Sequence, residues 1–206
     1  VISLAGTLYK GAITFETPML YALGVLFLFL IGGLTGIPLA VTSLTLHLSD
    51  TYYVVGHFHY VMAVAGTFAI FGGVYYWFPK MTGRMYNEFW GKLGFWITFV
   101  GVNIVFWIMM TVGVKGMPRR YYDYSHFPQF ESAHQWMTIG AGILGVGFMI
   151  AVLNWIIGAV KGQPAGDNPW GSKSLEWTTV SPPPHGNWPS PPSVVDDWTP
   201  YAYDRR

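Results

Sequence analysis

The stretch YYVVGHFHYVMAVAGTFAIFGGVYYWF, residues 52–78, carries no charged side chain from end to end. Because an α-helix rises about 1.5 Å per residue, this stretch is long enough to cross the roughly 30 Å hydrocarbon layer of a membrane. Residues 19–41, 93–114 and 135–160 are also free of charge and of similar length. The sequence therefore predicts an all-α membrane protein with four transmembrane helices.

The composition favours a membrane protein over a soluble one. Of the 206 residues, 52% are hydrophobic and 10% are charged, whereas a soluble domain carries about 25% charged residues. Four buried helices of a soluble protein are the alternative, but so short a chain has too little polar surface to cover them. The net charge of +1 gives no indication of nucleic-acid binding, and a chain without cysteine has no disulfides and no thiolate metal sites.

The distribution of Lys and Arg predicts the orientation in the membrane. If the chain alternates sides, the N-terminus, loop 79–92 and residues 161–206 share one side and carry eight of the eleven Lys and Arg residues. The positive-inside rule makes that side cytoplasmic. We therefore expect residues 1–160 to form the transmembrane region. Residues 161–206, which contain SPPPHGNWPSPP, are expected to form a Pro-rich extended tail on the cytoplasmic side.

His57 and His59 lie in the uncharged stretch, where ionisable side chains are costly and are functional candidates. Successive residues of an α-helix are about 100° apart, so the two rings point about 200° apart, with Phe58 between them. They cannot bind one metal ion together, but they can serve two sites on opposite faces. Neutral imidazole is a common axial ligand of haem iron. Three interpretations stay open: two metal or haem sites, a proton relay, or structural hydrogen-bonded histidines.

The loop before the last predicted helix contains Arg119 and Arg120 in GMPRRYYDY, on the side opposite to the positive-inside prediction. A solvated turn after Pro118 is one interpretation. An anion site is the other, because arginine binds carboxylates in a bidentate manner. His57 and His59 lie roughly 8–10 Å from the outer end of their helix, at about 1.5 Å per residue. Two haems flanking this helix, with propionates directed towards the arginines, would account for both features.

Gly32 and Gly36, in the segment GGLTG, are four residues apart and therefore share one helix face. Small residues at this spacing allow membrane helices to approach each other closely. We therefore expect the first transmembrane helix to pack tightly against a neighbour at this face.

Several segments resemble one known family. They are FETPMLYALGVLFLFLIGGLTG, SDTYYVVGHFHYVM, YYWFPKMTGRMYNE, GVNIVFW and GMPRRYYDY. In these segments the chain resembles subunit I of the haem–copper oxygen reductases, specifically of cytochrome c oxidase. The tail segment NPWGSKSLEWTTVSPPPHGN resembles that of bacterial members. The resemblance extends over almost the whole chain and implies that the four helices are the last four of a twelve-helix bundle.

The resemblance implies a role for each residue of the two conspicuous motifs. His57 matches the catalytic, proximal ligand of the high-spin haem at which oxygen binds. His59 matches one of the two axial ligands of the low-spin haem, and Phe58 would lie between the haems on the electron path. Arg119 and Arg120 match the pair that binds the haem propionates.

The resemblance is less complete at Asp50, which matches the aspartate of an outer magnesium site. The family often has histidine directly before this aspartate and an acidic residue five positions before it, where this chain has Ser49 and Thr45. A carboxylate provides the oxygen ligand that magnesium prefers. A solvated loop carboxylate is the alternative for Asp50.

The resemblance also implies cofactors and partners. The cofactors would be two haems, of haem A type, and a copper ion whose ligands lie outside this chain. The remaining N-terminal part of subunit I, as a separate chain or as the rest of a longer one, and subunits II and III would complete the complex. Cytochrome c would deliver electrons, oxygen would be reduced to water, and protons would be pumped across the membrane.

Two further expectations follow from the same resemblance. The location would be the bacterial cytoplasmic membrane, with the mitochondrial inner membrane as the alternative. A quinol oxidase or a nitric oxide reductase is an alternative within the superfamily. A haem-free half-subunit that supports assembly is an alternative of another class.

Overall fold

The computed structural model describes residues 2–188, and within this range the regular secondary structure is helical. Four helices in this described part of the chain are long and apolar enough to cross a membrane, and they span Thr17–Ala40, Tyr52–Thr82, Glu88–Val114 and Pro128–Lys161. The predicted fold class, an all-α protein with four membrane-spanning helices, is therefore confirmed.

Seven α-helices follow one another within residues 2–188. They are α1 (Ile2–Leu8), α2 (Thr17–Ala40), α3 (Thr42–Leu48), α4 (Tyr52–Phe58), α5 (Ala65–Thr82), α6 (Glu88–Val114) and α7 (Glu131–Lys161). A π-helical turn, His59–Val64, joins α4 to α5, so that one helical segment runs from residue 52 to 82. Short 3₁₀ turns cover Pro128–Phe130, directly before α7, and Leu175–Trp177.

The spanning helices extend beyond the uncharged stretches because charged residues are tolerated at their ends. Glu88 and Glu131 lie in the first turns of α6 and α7, and Lys161 lies in the last turn of α7. Acidic groups at the N-terminus and basic groups at the C-terminus of a helix interact favourably with its dipole. Pro18 in the first turn of α2 is likewise compatible with a helix start.

The chain divides into two compact units. The first contains the described residues up to Gly73 together with Glu88–Ala151, and the second contains Val74–Asn87 and the described residues from Val152 onwards. The first unit therefore holds α2, α4 and α6 in full, and the second holds the end of α5, the end of α7 and the described part of the tail.

The core of the first unit is aromatic. Tyr21 of α2, Phe68 of α5 and Phe95 of α6 are buried, and their ring centroids lie 5.1–5.7 Å apart in edge-to-face pairs. Such pairs contribute about 0.5–1.5 kcal/mol each beyond the burial of their area. This cluster fixes α2 against the two helices that carry the partner rings.

Glycines allow close helix approaches in the first unit. A Cβ atom on Gly101 of α6 would lie 2.6 Å from the backbone nitrogen of Leu144 in α7. A Cβ atom on Gly32 of α2 would lie 2.8 Å from a methyl group of Val61, and one on Gly36 would lie 2.9 Å from the His57 ring. The close packing predicted for the GGLTG face is therefore confirmed, and its neighbour is the helix that carries the histidines.

In the second unit, Lys80 of α5 holds the tail. Lys80 is 7% exposed, and its ammonium group donates hydrogen bonds to three backbone carbonyls, those of Asp167 at 3.0 Å, Thr179 at 2.6 Å and Val180 at 3.5 Å. It also lies 5.0 Å from the centroid of the Trp177 ring. We call this group of contacts the Lys80 clamp.

Aromatic contacts reinforce the Lys80 clamp. The Trp170 indole donates a hydrogen bond to the Tyr76 carbonyl at 2.9 Å, and the Trp177 indole donates to the Tyr76 hydroxyl at 2.9 Å. The described part of the predicted tail after α7, residues 162–188, contains one 3₁₀ turn and no α-helix. Residues 189–206 of that tail lie outside the described residues.

Candidate functional site

The start of α4 fixes the position of both histidines along the chain. The Thr51 side chain caps the helix by accepting a hydrogen bond from the Tyr53 backbone nitrogen at 3.2 Å. A capping threonine satisfies one of the otherwise unpaired N–H groups of a first turn. His57 therefore falls in the second turn of α4, while His59 is the first residue of the π-helical turn.

The His57 ring lies against α2. Its Nδ1 atom is 3.1 Å from the hydroxyl oxygen of Thr35, and this hydroxyl donates a hydrogen bond to the Gly32 carbonyl at 2.8 Å. The ring lies so close to Gly36 that a Cβ atom there would be 2.9 Å from Cε1 of His57. Helix α2 thus provides a polar partner for His57 at Thr35 and room for its ring at Gly36.

The His59 ring lies against α6. It is stacked between Phe58, at 4.7 Å and 26°, and Phe106, at 4.5 Å and 17°. Its Nδ1 atom is 2.7 Å from the Val55 carbonyl. Because a carbonyl oxygen accepts hydrogen bonds and cannot donate them, Nδ1 carries the proton and Nε2 keeps a lone pair.

The two histidines share one chemical arrangement but face different helices. In each ring Nδ1 has a partner, and neither Nε2 atom has a hydrogen-bond partner within residues 2–188. A neutral imidazole held through one nitrogen, with the other available, is the form in which histidine binds a metal. This donor chemistry fits two separate axial ligands, and the hydrogen bonds of the described residues do not connect one ring to the other.

Phe58 lies between the two histidines in sequence and is 37% exposed. Its ring stacks on the His59 ring. The structure therefore places His57, Phe58 and His59 on one short segment, with the two imidazoles directed to different partners.

We call residues 115–127, the loop between α6 and the 3₁₀ turn before α7, the arginine loop, because it contains Arg119 and Arg120. This loop is attached to the start of α4. The Arg119 backbone nitrogen donates to the Asp50 carbonyl at 2.9 Å, and the Tyr52 nitrogen donates to the Met117 carbonyl at 2.9 Å. Met117 is fully buried and anchors the loop in an apolar cluster with Val112 and other residues. The loop is thus fixed beside the helix that carries the histidines.

Arg119 and Asp50 form an ion pair. Nε and Nη2 of Arg119 lie 2.8 Å and 2.6 Å from the same oxygen, Oδ1, of Asp50. The Asp50 side chain is 72% exposed and that of Arg119 is 25% exposed. Arg120 is exposed and is held at a φ of 71°. The two arginines therefore differ, because one is held by a carboxylate and the other extends to the surface.

Asp50 has no cluster of further metal ligands nearby in the described chain. Over residues 2–188, no group of three or more His, Asp or Glu side chains lies in a position to hold a metal ion. The structure brings Asp50 together with Arg119, and it does not bring Asp50 together with the histidines.

Hydrogen bonding shifts one titratable group of the arginine loop. The side-chain hydroxyl and then the backbone N–H of Ser125 donate to Asp123 and hold the pKa of this carboxyl below its usual range. At the N-terminus of α2, burial and then repulsion by Glu88 raise the pKa of Glu16. The hydrogen bonds from Ser125 therefore favour the ionised form of Asp123, which lies in the same loop as the two arginines.

Two residues that contact the histidines, Thr35 and Phe106, were not predicted from the sequence. Thr35 was hidden in a segment that predicts close packing, and Phe106 was one of many aromatic residues in an apolar helix. A threonine three residues after Gly32, on the glycine face, was the available signal for Thr35. Phe106 has no such signal, because its contact with His59 depends on how α4 and α6 pack.

Comparison with known proteins gives the class of protein. Residues 1–143 match the family model described as cytochrome C and quinol oxidase polypeptide I. The chain belongs to this family of membrane oxidase subunits. The resemblance to subunit I of the haem–copper oxidases, predicted from the motifs, is therefore confirmed.

Individual relatives narrow the class. The chain is 44% identical to cytochrome c oxidase subunit 1 of Thermostichus vulcanus over 206 residues, which cover 100% of this chain and 37% of the relative. It is 47% identical to cytochrome c oxidase subunit 1 of Corynebacterium diphtheriae over 195 residues, which cover 92% of this chain and 34% of the relative. The chain thus spans about a third of the length of these relatives.

A solved structure is similar as well. A heme-copper terminal oxidase dimer, determined by cryo-EM, superimposes with a TM-score of 0.65 and 26% sequence identity. The match covers 71% of this chain and 27% of that chain. The helical architecture is therefore one that a haem–copper oxidase also uses, and the chain is an integral membrane protein.

Proposed function

We propose that the chain is the C-terminal part of the catalytic subunit I of a cytochrome c oxidase. In the assembled complex, His57 and His59 would bind two haem irons, oxygen would be reduced to water and protons would be pumped. The observation that carries the proposal is that the imidazole rings of His57 and His59 have the same hydrogen-bonding arrangement. Each is anchored at Nδ1 and has Nε2 available, and they lie on different sides of one helix in a chain of the oxidase family.

His57 is the proposed catalytic residue, because it would be the axial ligand of the high-spin haem. His59 would be an axial ligand of the low-spin haem, and its stacking between Phe58 and Phe106 would fix the plane of the imidazole. When bound, the haems supply electron transfer and oxygen chemistry, which the protein tunes through ligand identity and environment. Phe58 would separate the two sites.

Arg119 and Arg120 are the proposed partners of the haem propionates. Asp50 holds Nε and Nη2 of Arg119, so Nη1 is the nitrogen that points elsewhere. Arg120 is exposed and can turn towards an anion. If Asp50 also binds magnesium, it would do so through its second oxygen, together with ligands supplied by other parts of the complex.

The rest of the proposal concerns the whole complex. The similar solved structure is a heme-copper terminal oxidase, and we propose for this complex two haems of A type and a copper ion held by histidines outside this chain. The partners would be the remainder of subunit I, subunits II and III, and cytochrome c as electron donor. The membrane would be the bacterial cytoplasmic membrane, with the tail on the cytoplasmic side, as the distribution of Lys and Arg indicates.

A quinol oxidase is the second candidate, because the matching family model includes quinol oxidases. The curated relatives that match over 92% or more of this chain carry the name cytochrome c oxidase, which favours the first candidate. Reduction of the purified complex by cytochrome c or by a quinol would separate the two.

A reduced-minus-oxidised optical spectrum of the purified membrane complex that contains this chain tests the proposal. It is recorded with and without carbon monoxide, and mass spectrometry identifies the subunits. Two haem signals, one of them shifted by carbon monoxide, together with a chain or segment that carries the copper-binding histidines, are expected. A complex without haem would overturn the proposal and favour a scaffold that supports assembly.

A further inference from the structure

Thr35 lies opposite the proposed high-spin haem ligand. It belongs to the GGLTG segment of α2, and its hydroxyl oxygen is 3.1 Å from Nδ1 of His57. The same hydroxyl lies 2.8 Å from the Gly32 carbonyl, three residues earlier in the helix. Thr35 therefore connects the imidazole to the backbone of a neighbouring helix.

The two contacts of the Thr35 hydroxyl determine the direction of both hydrogen bonds. The Gly32 carbonyl can only accept, so the hydroxyl proton is directed towards it. The hydroxyl oxygen is then left with its lone pairs, and it can only accept from His57. The proton of the imidazole is therefore placed on Nδ1, and Nε2 keeps the lone pair that binds iron.

Packing holds this arrangement in place. The Tyr53 hydroxyl donates to the Thr35 carbonyl at 2.9 Å, which ties α4 to the same residue of α2. A Cβ atom on Gly36 would lie 2.9 Å from Cε1 of His57. The ring is therefore confined on its α2 side by a backbone without a side chain and is directed by a single hydroxyl.

Within the described residues, His59 does not have a hydrogen bond of this kind to a neighbouring helix. Its Nδ1 atom donates to Val55, a carbonyl of its own helix, four residues earlier. That contact stays within one helix, whereas the His57 contact connects two. The bond from His57 to the Thr35 hydroxyl continues to the Gly32 carbonyl, so the two form a chain. Hydrogen bonds in such a chain polarise one another.

We propose that Thr35 is a positioning residue for His57, which fixes the tautomer of the imidazole and raises the basicity of its iron-binding nitrogen. This inference rests on the proposed function, namely that His57 binds the iron of the high-spin haem. Thr35 does not touch the iron, and its effect is transmitted through His57. Thr35→Val removes the acceptor at nearly constant volume, while Thr35→Ser retains it.

The test is resonance Raman spectroscopy of the reduced complex, purified with each variant. We expect the Fe–His stretching frequency of the high-spin haem to fall in Thr35→Val and to return towards the wild-type value in Thr35→Ser. Turnover should fall on the order of tenfold in Thr35→Val, at the lower end of the cost of removing an outer partner of a metal ligand. Thr111→Val is the matched control, because Thr111 is exposed and its hydroxyl bonds a carbonyl of its own helix.

The outcomes separate this inference from the proposed function. If Thr35→Val binds carbon monoxide and keeps the wild-type Fe–His frequency, Thr35 does not position His57, and the haem assignment still stands. If the wild-type complex has no carbon-monoxide-sensitive haem, the proposed function itself fails. Should Thr35→Val not assemble, Thr35→Ala takes the same measurement, and an unchanged frequency there overturns the inference equally.

Discussion

The helical segment 52–82 carries basic side chains at two places, namely His57 and His59 near its start and Lys80 near its end. The two places differ in how completely the side-chain nitrogens are hydrogen-bonded. The Lys80 ammonium uses its three N–H groups on three backbone carbonyls and also contacts an aromatic ring. His57 and His59 each use one ring nitrogen and leave the other without a hydrogen bond to residues 2–188. A side chain whose hydrogen-bonding groups are all paired within the protein stabilises the fold. A side chain that keeps an unpaired nitrogen is a candidate for binding a ligand.

Removal of the Lys80 ammonium gives the largest effect expected from this comparison. Lys80→Met keeps most of the side-chain volume but leaves several carbonyls of the tail without a donor. The Thr179 bond is buried, and an unsatisfied buried acceptor costs about 1–3 kcal/mol, whereas the Asp167 and Val180 bonds are partly exposed and their loss costs less. The tail should therefore be held less firmly against α5. Limited proteolysis of the membrane complex should then cut within residues 162–188, while the haem spectra stay unchanged.

Lys173→Met is the control for the Lys80 clamp, because Lys173 is an exposed cation of the same tail. It should leave the proteolysis pattern as in the wild type. Equal protection of the tail from proteolysis in both variants would mean that Lys80 does not hold the tail. The structural role assigned to Lys80 would then be wrong.

Gly36→Ala should act on His57 and leave His59 unaffected. The new methyl group would lie 2.9 Å from Cε1 of His57, and overpacking of this kind costs roughly 1–3 kcal/mol. We expect reduced occupancy of the carbon-monoxide-binding haem with a normal low-spin signal. Gly33→Ala, on the same helix, is the control, because its Cβ would meet no atom within 4 Å. Identical spectra for the two variants would contradict the contact between α2 and His57.

Phe106→Leu should act on His59 with a smaller effect. The stacking of His59 on Phe106, at 4.5 Å, contributes about 0.5–1.5 kcal/mol by analogy with aromatic pairs. Its loss should shift the low-spin signal or its midpoint potential and leave carbon monoxide binding unchanged. Phe89→Leu is the matched control, since Phe89 is 67% exposed near the start of α6. A change confined to the high-spin signal would reverse the assignment of the two histidines.

Asp50→Asn is expected to have the smallest effect on stability. The ion pair with Arg119 is largely exposed on the Asp50 side, and such pairs contribute about 0–1 kcal/mol. Thermal unfolding should therefore change little relative to Asp123→Asn, a second exposed carboxylate of this region. If Asp50 is a magnesium ligand as well, metal analysis should show that Asp50→Asn alone loses magnesium. Equal magnesium content in both variants would exclude that role.

The sequence was sufficient for the four spanning helices, since these depend on local pattern, and it proposed the site residues from the same kind of pattern. Uncharged stretches identified the four spanning helices, and the cost of histidine in hydrocarbon marked His57 and His59. The geometry of an ideal α-helix gave no indication of the π-helical turn that begins at His59.

What the sequence could not predict depends on contacts between distant segments. Asp50 and Arg119 are 69 positions apart, and each was assigned a role of its own, although they form one ion pair. Lys80 was one more cation of a loop, because its carbonyl partners lie 87 or more positions away. Thr35 gained its meaning from the packing of α2 on α4, which a single sequence does not reveal.

The most direct test of the account is the pair of variants His57→Ala and His59→Ala. Each is assembled into the complex and compared by reduced-minus-oxidised spectra with and without carbon monoxide, with His126→Ala, an exposed loop histidine, as the control. We predict that His57→Ala loses the carbon-monoxide-sensitive signal and keeps the low-spin signal, and that His59→Ala shows the reverse. Both signals intact in both variants would contradict the claim that each histidine binds its own iron.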